Sequence, residues 1–266
     1  MNEKLNSYYL GELTWVDVEN FLKGHDVVII PIGSTEQHGP HLPLDTDTFD
    51  AFWVSLKAAE EAKCALVAPP IYYGVSMHHM DFPGTISITP QLLEELVFQV
   101  TSSLIKHGFK KIVLINGHGG NIPALKAAMQ RLKERFSDVL IVLDTFDLVS
   151  DVVAEVMEVP YDAHAGEIET STSLVNRGER VRLERIKGRR FEIKAPKLKY
   201  LSLGFWSKGP KVSWAFRTKE LSEYGVIGDP SKASAEKGKV ILERYIRRLA
   251  ELLTELSQIK GRPQGK

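Results

Sequence analysis

The sequence has one cysteine, no excess of either charge and no long hydrophobic run. Cys64 alone cannot form an internal disulfide, and its Ala/Val-rich surroundings favour a small buried hydrophobic residue. Lys+Arg and Asp+Glu each number 34, whereas dedicated nucleic-acid or membrane binders usually carry a charge imbalance. No stretch approaches the about 18 apolar residues of a membrane helix, and the N-terminus lacks a signal-peptide layout. We expect a cytoplasmic protein that binds neither nucleic acid nor membrane.

The chain alternates between predicted strands and predicted helices. Short β-branched runs predict the strands, and apolar residues at helical spacing predict the helices. The strands are expected at 27–32, 65–67, 111–115 and 139–143, and the helices at 48–62, 90–107, 123–136 and about 230–256. This alternation predicts an α/β fold with a mainly parallel central sheet covered by helices on both sides.

One domain is expected over 1–257, followed by a flexible tail at 258–266. The segment 177–224 has short β-like pieces, scattered Gly and Pro and few long apolar periods, and we interpret it as a β-rich excursion of that domain. Within it, residues 177–199 hold ten Lys/Arg and three Glu, a local charge of +7. This charge indicates either attraction of a phosphorylated substrate or, as we favour, a solvated face or subunit contact.

Potential metal ligands gather in loops that follow the predicted strands. Ligands bind at the carboxyl ends of the strands in open α/β sheets, where these loops meet. The segment GSTEQHGPHLPLDTD (33–47) holds five candidates, which are Glu36, His38, His41, Asp45 and Asp47. NGHGGN (116–121) and DAHAGEIETS (162–171) add His118, His164, Glu167 and Glu169. Six of the eight histidines lie in such loops, which chance scatter does not explain.

Imidazoles combined with carboxylates are typical ligands of a binuclear divalent-metal site, in which a shared aspartate neutralises both cations. Nitrogen and oxygen ligands suit Zn, Mn or Fe(II), and the lack of thiolates argues against structural zinc. Such ions activate a bridging water and polarise a carbonyl, so hydrolysis is expected. The alternative is a non-catalytic nucleotide-binding module, with NGHGGN as a phosphate cradle at a helix N-terminus. That turn lacks the Lys-Ser/Thr ending of a P-loop.

Five segments resemble the creatininase (creatinine amidohydrolase) family of binuclear-metal hydrolases of cyclic or formyl amides. They are GSTEQHGPHLPLDTD (33–47), GVSMHHMDFPGT (74–85), NGHGGN (116–121), DAHAGEIETS (162–171) and GVIGDPSKASAEKG (225–238). The resemblance implies a three-layer α/β/α sandwich, a homo-oligomer that is often a hexamer, and two divalent metal ions per chain. It also implies Glu36, His38, Asp47 and His118 as metal ligands, with Asp47 bridging.

The chain departs from creatinine-hydrolysing members at two places. The resemblance implies that those members carry a glutamate two residues after the histidine that matches His118. This chain has Gly120 at that position. The second ion therefore needs another carboxylate, and similarity to a His-Ala-Gly-x-x-Glu-Thr-Ser pattern favours Glu169 over Glu167. The resemblance also implies that those members stack tryptophans from the middle of the chain on the flat substrate. Residues 54–205 of this chain contain no tryptophan. The glycine-rich turn is more similar to formylaminopyrimidine deformylase-like members and to a peptidase-like maturation protein.

The expected function is metal-dependent hydrolysis of a non-peptide C–N amide bond in a cyclic amide or formamide, with creatinine as the alternative substrate. We expect His164 to be the general acid for the leaving nitrogen, or else a residue that orients Glu169 or a core histidine. Glu167 is a second catalytic candidate, against a structural role at the first turn of a helix. The predicted substrate-binding residues are Ser76, His79, Gly119 and Gly120.

Overall fold

The computed structural model describes residues 5–196, 212 and 214–260 of the chain. Within this part, the strands are β1 (Val27–Ile32), β2 (Ala65–Val67), β3 (Lys111–Asn116) and β4 (Leu140–Asp144). They form one parallel sheet in the order β2-β1-β3-β4. β1 and β3 are buried along their whole length, as expected for inner strands of a sheet that is covered on both faces.

Helices connect the strands and cover the sheet. The α-helices are α1 (Trp15–Leu22), α2 (Thr46–Ala62), α3 (Pro90–His107), α4 (Ile122–Arg135), α5 (Ser150–Val156), α6 (Glu167–Asn176), α7 (Thr218–Leu221) and α8 (Ala235–Gln258). Short 3-10 helices span Leu10–Glu12, Met77–His79, Gly119–Asn121, Asp147–Val149, Gly178–Arg180, Leu183–Arg185 and Pro230–Lys232. No helix in the described ranges is both long and apolar enough to cross a membrane.

The ends of α3 show how local sequence sets the helix boundaries. The Thr89 hydroxyl accepts a hydrogen bond from Leu92 N at 3.2 Å, and Pro90 occupies the first turn, where its missing N–H costs no helical bond. At the other end Gly108 adopts φ 118°, a left-handed conformation that glycine takes without a Cβ penalty. The predicted boundaries of this helix are confirmed.

Alternate residues of β1 enter two separate hydrophobic cores, because successive side chains of a strand point to opposite faces. Val27 and Ile29 pack into the core that α2 and α8 cover. Val28 and Ile30 pack into the core that α3 and α4 cover. The sheet therefore lies between two helical layers, which confirms the predicted α/β fold with a three-layer sandwich and a parallel sheet.

The segment 177–224 differs from its prediction. Residues 177–196 and 214–224 contain no strand and form two 3-10 helices and α7. Val181, Ile186 and Leu221 are buried apolar residues that lie several positions apart in the sequence. A strand with one buried face would instead have apolar residues at every second position. The expected β-rich excursion is thus wrong for these residues. Its remaining part, 197–211 and 213, and the end of the predicted tail, 261–266, lie outside the described residues.

Candidate metal centre

Loops at the carboxyl edge of the sheet bring the candidate ligands together. Glu36 and His38 follow β1, His118 follows β3, and Asp47 and Glu169 lie in the first turns of α2 and α6. The loop after β3 packs directly on the start of α2, since a Cβ on Gly117 would lie 2.2 Å from Asp47 O. Only glycine allows this close approach, which places a loop histidine beside a helix aspartate.

Among the described residues, two groups of three side chains that share Asp47 could each hold a metal ion. Glu36, Asp47 and His118 form one group, and His38, Asp47 and Glu169 form the other, with the ligand atoms of each group within 4.8 Å of one another. Asp47 belongs to both, because its Oδ1 lies 2.8 Å from His38 Nε2 and its Oδ2 lies 3.2 Å from His118 Nδ1. A shared carboxylate between two ligand sets is the arrangement of a two-metal site.

A third group joins Glu36 and His38 with His164. All three grouped histidines point their other ring nitrogen at a backbone carbonyl. His38 Nδ1 lies 3.1 Å from Glu36 O, His118 Nε2 lies 3.0 Å from Val75 O, and His164 Nε2 lies 2.7 Å from Gln37 O. An outer N–H that donates to a carbonyl orients the ring and leaves the inner nitrogen as an acceptor, as is usual for metal-binding histidines.

Glu36 is the most isolated carboxylate of the centre. It is fully buried, and neither of its carboxylate oxygens has a hydrogen-bond partner among the residues that the structure describes. Three imidazole nitrogens surround Oε1, from His118 at 3.3 Å, His79 at 3.4 Å and His164 at 3.5 Å. Burial by itself would raise the pKa of Glu36, but the histidines hold it well below its usual range. A buried carboxylate without donors needs a compensating positive charge, so the donor set fits a cation.

In the metal-free protein, the pKa values of His38, His118 and Glu169 favour their protonated forms. Burial would lower the pKa of His38, but Asp47 and Glu169 raise it to about 10. His118 also has a pKa well above its usual value, because Glu36 and Asp47 outweigh its burial. Burial raises the pKa of Glu169 to about 8, although His38 opposes this. In the metal-free protein these residues bind protons, and bound metal ions would take the place of those protons.

A cavity of about 900 Å³ opens above the two ligand groups. Glu36, Asp47 and His118 lie in its wall, and apolar side chains line much of the remainder, namely Ile122, Phe146, Ile168, Trp214, Phe216 and Ile227. Trp214 and Phe216 have ring centroids 5.2 Å apart, and Phe216 lies 6.3 Å from His78, which stacks on His118 at 5.7 Å. An aromatic row therefore runs from this wall to a candidate ligand.

Lys and Arg side chains are few around this cavity in the part of the chain that the structure describes. Arg217 lines it, but its guanidinium forms two hydrogen bonds with the Asp81 carboxylate. No basic residue of 177–196 lines the cavity. Arg177 is buried and binds Asp45 at 2.6 Å, and the other basic residues of this range are exposed. Lys197 and Lys199 lie outside the described residues. In its described part, the basic segment thus has the position of an outer face.

Several predicted site residues line the cavity, and others lie elsewhere. His79, Gly119, Gly120, His164 and Glu169 line it. Two further candidate ligands from the loop after β1 point away: His41 Nε2 lies 2.8 Å from Thr170 Oγ1, and Asp45 pairs with Arg177. His41 and Asp45 belong to none of the ligand groups found among the described residues.

The predicted catalytic role of Glu167 is contradicted by its position. Its fully buried carboxylate accepts hydrogen bonds from the backbone N–H groups of Glu158 and Val159 and forms an ion pair with Lys237. It belongs to neither the cavity wall nor any of the ligand groups in the described ranges. Two residues that are two positions apart on a helix point to different sides of it. Glu167 therefore links α6 to α8, whereas Glu169 reaches the centre.

The predicted pocket-lining role of Ser76 also needs correction. Ser76 is fully buried and does not belong to the cavity wall. Its hydroxyl lies 3.4 Å from His118 Nε2, next to the Val75 carbonyl that accepts from the same nitrogen. Ser76 therefore contacts the ring nitrogen of His118 that points away from the ligand group, and it does not line the cavity.

Gly120 cannot be replaced by a ligand without a backbone shift. A Cβ at this position would lie 2.2 Å from Val75 O and 2.5 Å from His118 Nε2. The missing side chain is what allows the His118 ring to reach the Val75 carbonyl. A carboxylate from elsewhere must then complete the second group, and Glu169 is placed to do so.

Sequence reasoning missed Gln37 and Asp162. Gln37, which lies between Glu36 and His38 in the sequence, is buried, and its side-chain amide contacts both His79 and His164. Asp162 accepts a hydrogen bond from Ile168 N at 2.7 Å at the start of α6, and burial raises its pKa to about 7. Both lie inside the ligand-rich segments, which was the available signal, but their partners are distant in sequence.

Comparisons with known proteins agree with this geometry. A family model described as creatininase (creatinine amidohydrolase) matches residues 11–253. The mycofactocin precursor peptide peptidase of Mycolicibacterium smegmatis is 37% identical over 231 residues, which cover 85% of this chain and 83% of that protein. The creatinine amidohydrolase of Pseudomonas putida is 28% identical over 269 residues, which cover 94% of this chain and 97% of that protein.

A shorter match joins the chain to a deformylase. The 2-amino-5-formylamino-6-ribosylaminopyrimidin-4(3H)-one 5'-monophosphate deformylase of Methanocaldococcus infernus is 35% identical over 108 residues, which cover 39% of this chain and 46% of that protein. The resemblance therefore extends to formylaminopyrimidine deformylases, as the glycine-rich turn predicts.

Solved structures share the fold over almost the whole chain. A crystal structure of creatinine amidohydrolase (creatininase) has a TM-score of 0.82 at 25% identity and covers 96% of this chain and 100% of its own. A mutant creatininase of Zn-Zn type has a TM-score of 0.80 at 26% identity with the same coverage. The family model and these structures together span nearly all of the elements that carry the centre, and the chain therefore belongs to the creatininase (creatinine amidohydrolase) family.

Proposed function

We propose that the protein is a two-metal hydrolase that cleaves a C–N amide bond with water. The observation that carries this proposal is the shared Asp47 carboxylate between two ligand groups. Glu36, Asp47 and His118 would hold one divalent ion, and His38, Asp47 and Glu169 would hold the other. Nitrogen and oxygen donors suit Zn, Mn or Fe(II), and related structures include a Zn-Zn type and a Mn creatininase.

Bound in pairs, divalent ions activate water and polarise a carbonyl oxygen. His164 supplies the proton transfer in this proposal. Its Nδ1 faces Glu36 Oε1 at 3.5 Å while its Nε2 is held by Gln37 O, so the neutral ring presents an acceptor to the cavity. In the metal-free protein, burial and the nearby His38 lower the pKa of His164 to about 3, so the ring is neutral before the reaction begins. His164 takes a proton from the attacking water and then donates it to the leaving nitrogen.

The cavity supports an amide that is flanked by an apolar or aromatic group, in a peptide or a small molecule. Its volume of about 900 Å³ lies in the upper part of the usual range of ligand sites. The apolar wall and the pairing of Arg217 with Asp81 offer little to a phosphate. Relatives of similar length include peptide peptidases and a creatinine amidohydrolase, so both peptide and non-peptide amides belong in the substrate test.

The test is metal analysis combined with hydrolysis of creatinine, a formylaminopyrimidine nucleotide and short apolar peptides in Zn, Mn or Fe(II). We expect two ions per chain, hydrolysis of at least one amide, and loss of both in Asp47→Ala. A metal-free protein that binds a nucleotide and cleaves none of these amides would favour the nucleotide-binding module. Full activity of Asp47→Ala would contradict the proposed centre.

We also propose that the protein self-associates, with a hexamer favoured by the family resemblance. An exposed apolar patch surrounds Thr35: its hydroxyl donates to Tyr72 O at 2.9 Å, and its carbonyl accepts from Ile86 N at 2.8 Å. The patch exposes Leu44, Tyr72, Tyr73 and Ile86. Contiguous exposed apolar surface is typical of an interface. Light scattering should give a multimer that Tyr73→Lys weakens, and a monomeric wild type would refute this.

A further inference from the structure

His79 differs from the three other histidines that surround Glu36 and Asp47. His38, His118 and His164 each donate their outer nitrogen to a backbone carbonyl. The outer nitrogen of His79, Nδ1, instead lies 2.8 Å from the amide nitrogen of Gln37 and 3.0 Å from the Thr218 hydroxyl, which can donate or accept. His79 also belongs to none of the ligand groups among the described residues. Its place in the cavity wall therefore calls for a role other than metal binding.

The amide of Gln37 has one orientation that satisfies its neighbours. Its Oε1 accepts from Gly39 N at 2.9 Å, and its Nε2 donates to Gly225 O at 3.0 Å. A flipped amide would set two N–H groups against each other at Gly39 and two oxygens against each other at Gly225. This orientation follows from backbone groups alone, so it does not depend on an assigned histidine tautomer.

One amide proton of Gln37 remains after Gly225 takes the first. His164 Nε2 lies 2.9 Å away but already donates to Gln37 O, so it cannot accept. The second proton goes to His79 Nδ1. A neutral imidazole that accepts at Nδ1 carries its proton on Nε2. This nitrogen lies 3.4 Å from Glu36 Oε1, and both residues belong to the cavity wall.

Two neighbouring imidazoles thus present opposite groups to one cavity. The His79 and His164 ring centroids lie 4.3 Å apart; the first offers an N–H and the second a lone pair. Thr218 is fully buried, and its hydroxyl lies 3.0 Å from His79 Nδ1, a contact that is compatible with the acceptor role that Gln37 gives this nitrogen. Gln37 is buried as well, so water does not compete for these contacts.

We propose that His79 is a neutral hydrogen-bond donor to the carbonyl oxygen of the substrate amide, and that Gln37 is the positioning residue that sets its tautomer. The role rests on the proposed amide hydrolysis: the carbonyl oxygen gains negative charge as water adds, and the Nε2–H of His79 stabilises it without transferring its proton. A fixed donor in a water-poor site acts mainly on the transition state. The effect should therefore fall on kcat more than on KM.

The first test is the tautomer of His79 in the Zn-loaded protein with ¹⁵N-labelled histidine, read from the two-bond ¹H–¹⁵N couplings of the side chains. We expect the proton of His79 on Nε2 in the wild type. In Gln37→Glu, a carboxylate replaces the amide donor, and the proton should move to Nδ1. A wild-type His79 that carries its proton on Nδ1, or that binds metal through Nε2, would overturn the proposal independently of any variant.

The second test separates donation to the substrate from support of the metal centre. His79→Leu should keep both ions and lower kcat about 100-fold, the usual loss for one oxyanion donor. Gln37→Glu should lower kcat at least about tenfold by the same reasoning. Gln130→Glu, on the exposed side of α4, is the matched control and should match the wild type. Loss of metal from His79→Leu, or unchanged kcat, would refute donation to the substrate.

The outcome also distinguishes this proposal from the hydrolase function. If Asp47→Ala abolishes hydrolysis while His79→Leu retains full kcat, the function stands and the donor role fails. If the metal-loaded wild type cleaves none of the amides tested, the hydrolase function fails and the donor role fails with it, whatever tautomer is observed.

Discussion

Glu167 and Glu169 leave the first turn of α6 towards different partners. Glu167 binds Lys237 of α8 and the backbone of residues 158–159. Glu169 lies 3.6 Å from His38 Nε2 and accepts from Ala165 N. Two carboxylates that are two residues apart thus serve helix packing and the metal centre separately, which makes them a matched pair for mutagenesis.

Glu169→Gln should remove one metal ion and Glu167→Gln should remove none. Glu169 belongs to one ligand group only, so the group of Glu36, Asp47 and His118 stays intact. We expect about one ion per chain in Glu169→Gln and about two in Glu167→Gln, measured by elemental analysis after gel filtration. Equal metal loss in both variants would contradict the assignment.

Asp47→Asn should lower the affinity for both ions. An amide at this position loses the charge that both groups share, and it offers one oxygen where the carboxylate offers one to each side, near His38 and near His118. Calorimetric titration with Zn should show two weakened sites, whereas His118→Ala should weaken one site more strongly than the other. Retention of one unperturbed site in Asp47→Asn would argue against a bridging carboxylate.

Lys237→Met should destabilise the fold without touching the cavity. Glu167 is fully buried, and removal of its cation leaves an uncompensated charge, which costs about 3 kcal/mol. Urea unfolding measures this loss. The control is Lys239→Met on the same helix, whose exposed pair with Glu243 at 3.8 Å contributes less than about 1 kcal/mol. Similar losses of unfolding free energy in both variants would show that the buried pair contributes no more to stability than the exposed pair.

Metal binding should release protons, and apparent metal affinity should rise with pH. In the metal-free protein, the pKa of His38 is about 10 and that of Glu169 about 8, so both are protonated at pH 7. The pKa of His118 is also raised well above its usual value. We expect about two to three protons released at pH 7, with fewer above pH 8 as Glu169 ionises before binding. Calorimetry in buffers of different ionisation enthalpy measures this number, and buffer-independent heats would disprove it.

The aromatic wall should govern substrate choice. Trp214→Ala or Phe216→Ala should lower kcat/KM for an apolar amide by about five- to tenfold, since one aromatic contact contributes about 1 kcal/mol. Trp15→Ala, at a tryptophan that is 76% exposed, should have no effect. Creatinine turnover should remain low throughout, because this chain has Gly120 at the position where the family resemblance implies an acidic ligand in creatinine-hydrolysing members. Efficient creatinine hydrolysis would contradict this expectation.

Much of the centre could be predicted from sequence because strand and loop patterns are local. The β-branched runs of β1 and β3 predict a parallel sheet, and such a sheet brings the loops with Glu36 and His118 to one edge. The choice of Glu169 followed from a resemblance to a motif. Ser76 and Glu167 were misplaced because their partners, His118 and Lys237, lie 42 and 70 residues away in the chain.

The sequence by itself determined the α/β fold, the family and the set of residues that could bind metal, because periodicity and motifs are properties of neighbouring residues. Only the tertiary structure decided which carboxylate of α6 reaches the centre, which apolar side chains line the cavity and which polar groups surround the nitrogens of His79. Each of these depends on a contact between distant segments, such as that of Gln37 with His79 and Gly225. Hydrogen-bond direction is set by the partner, and the partner is known only once the chain is folded.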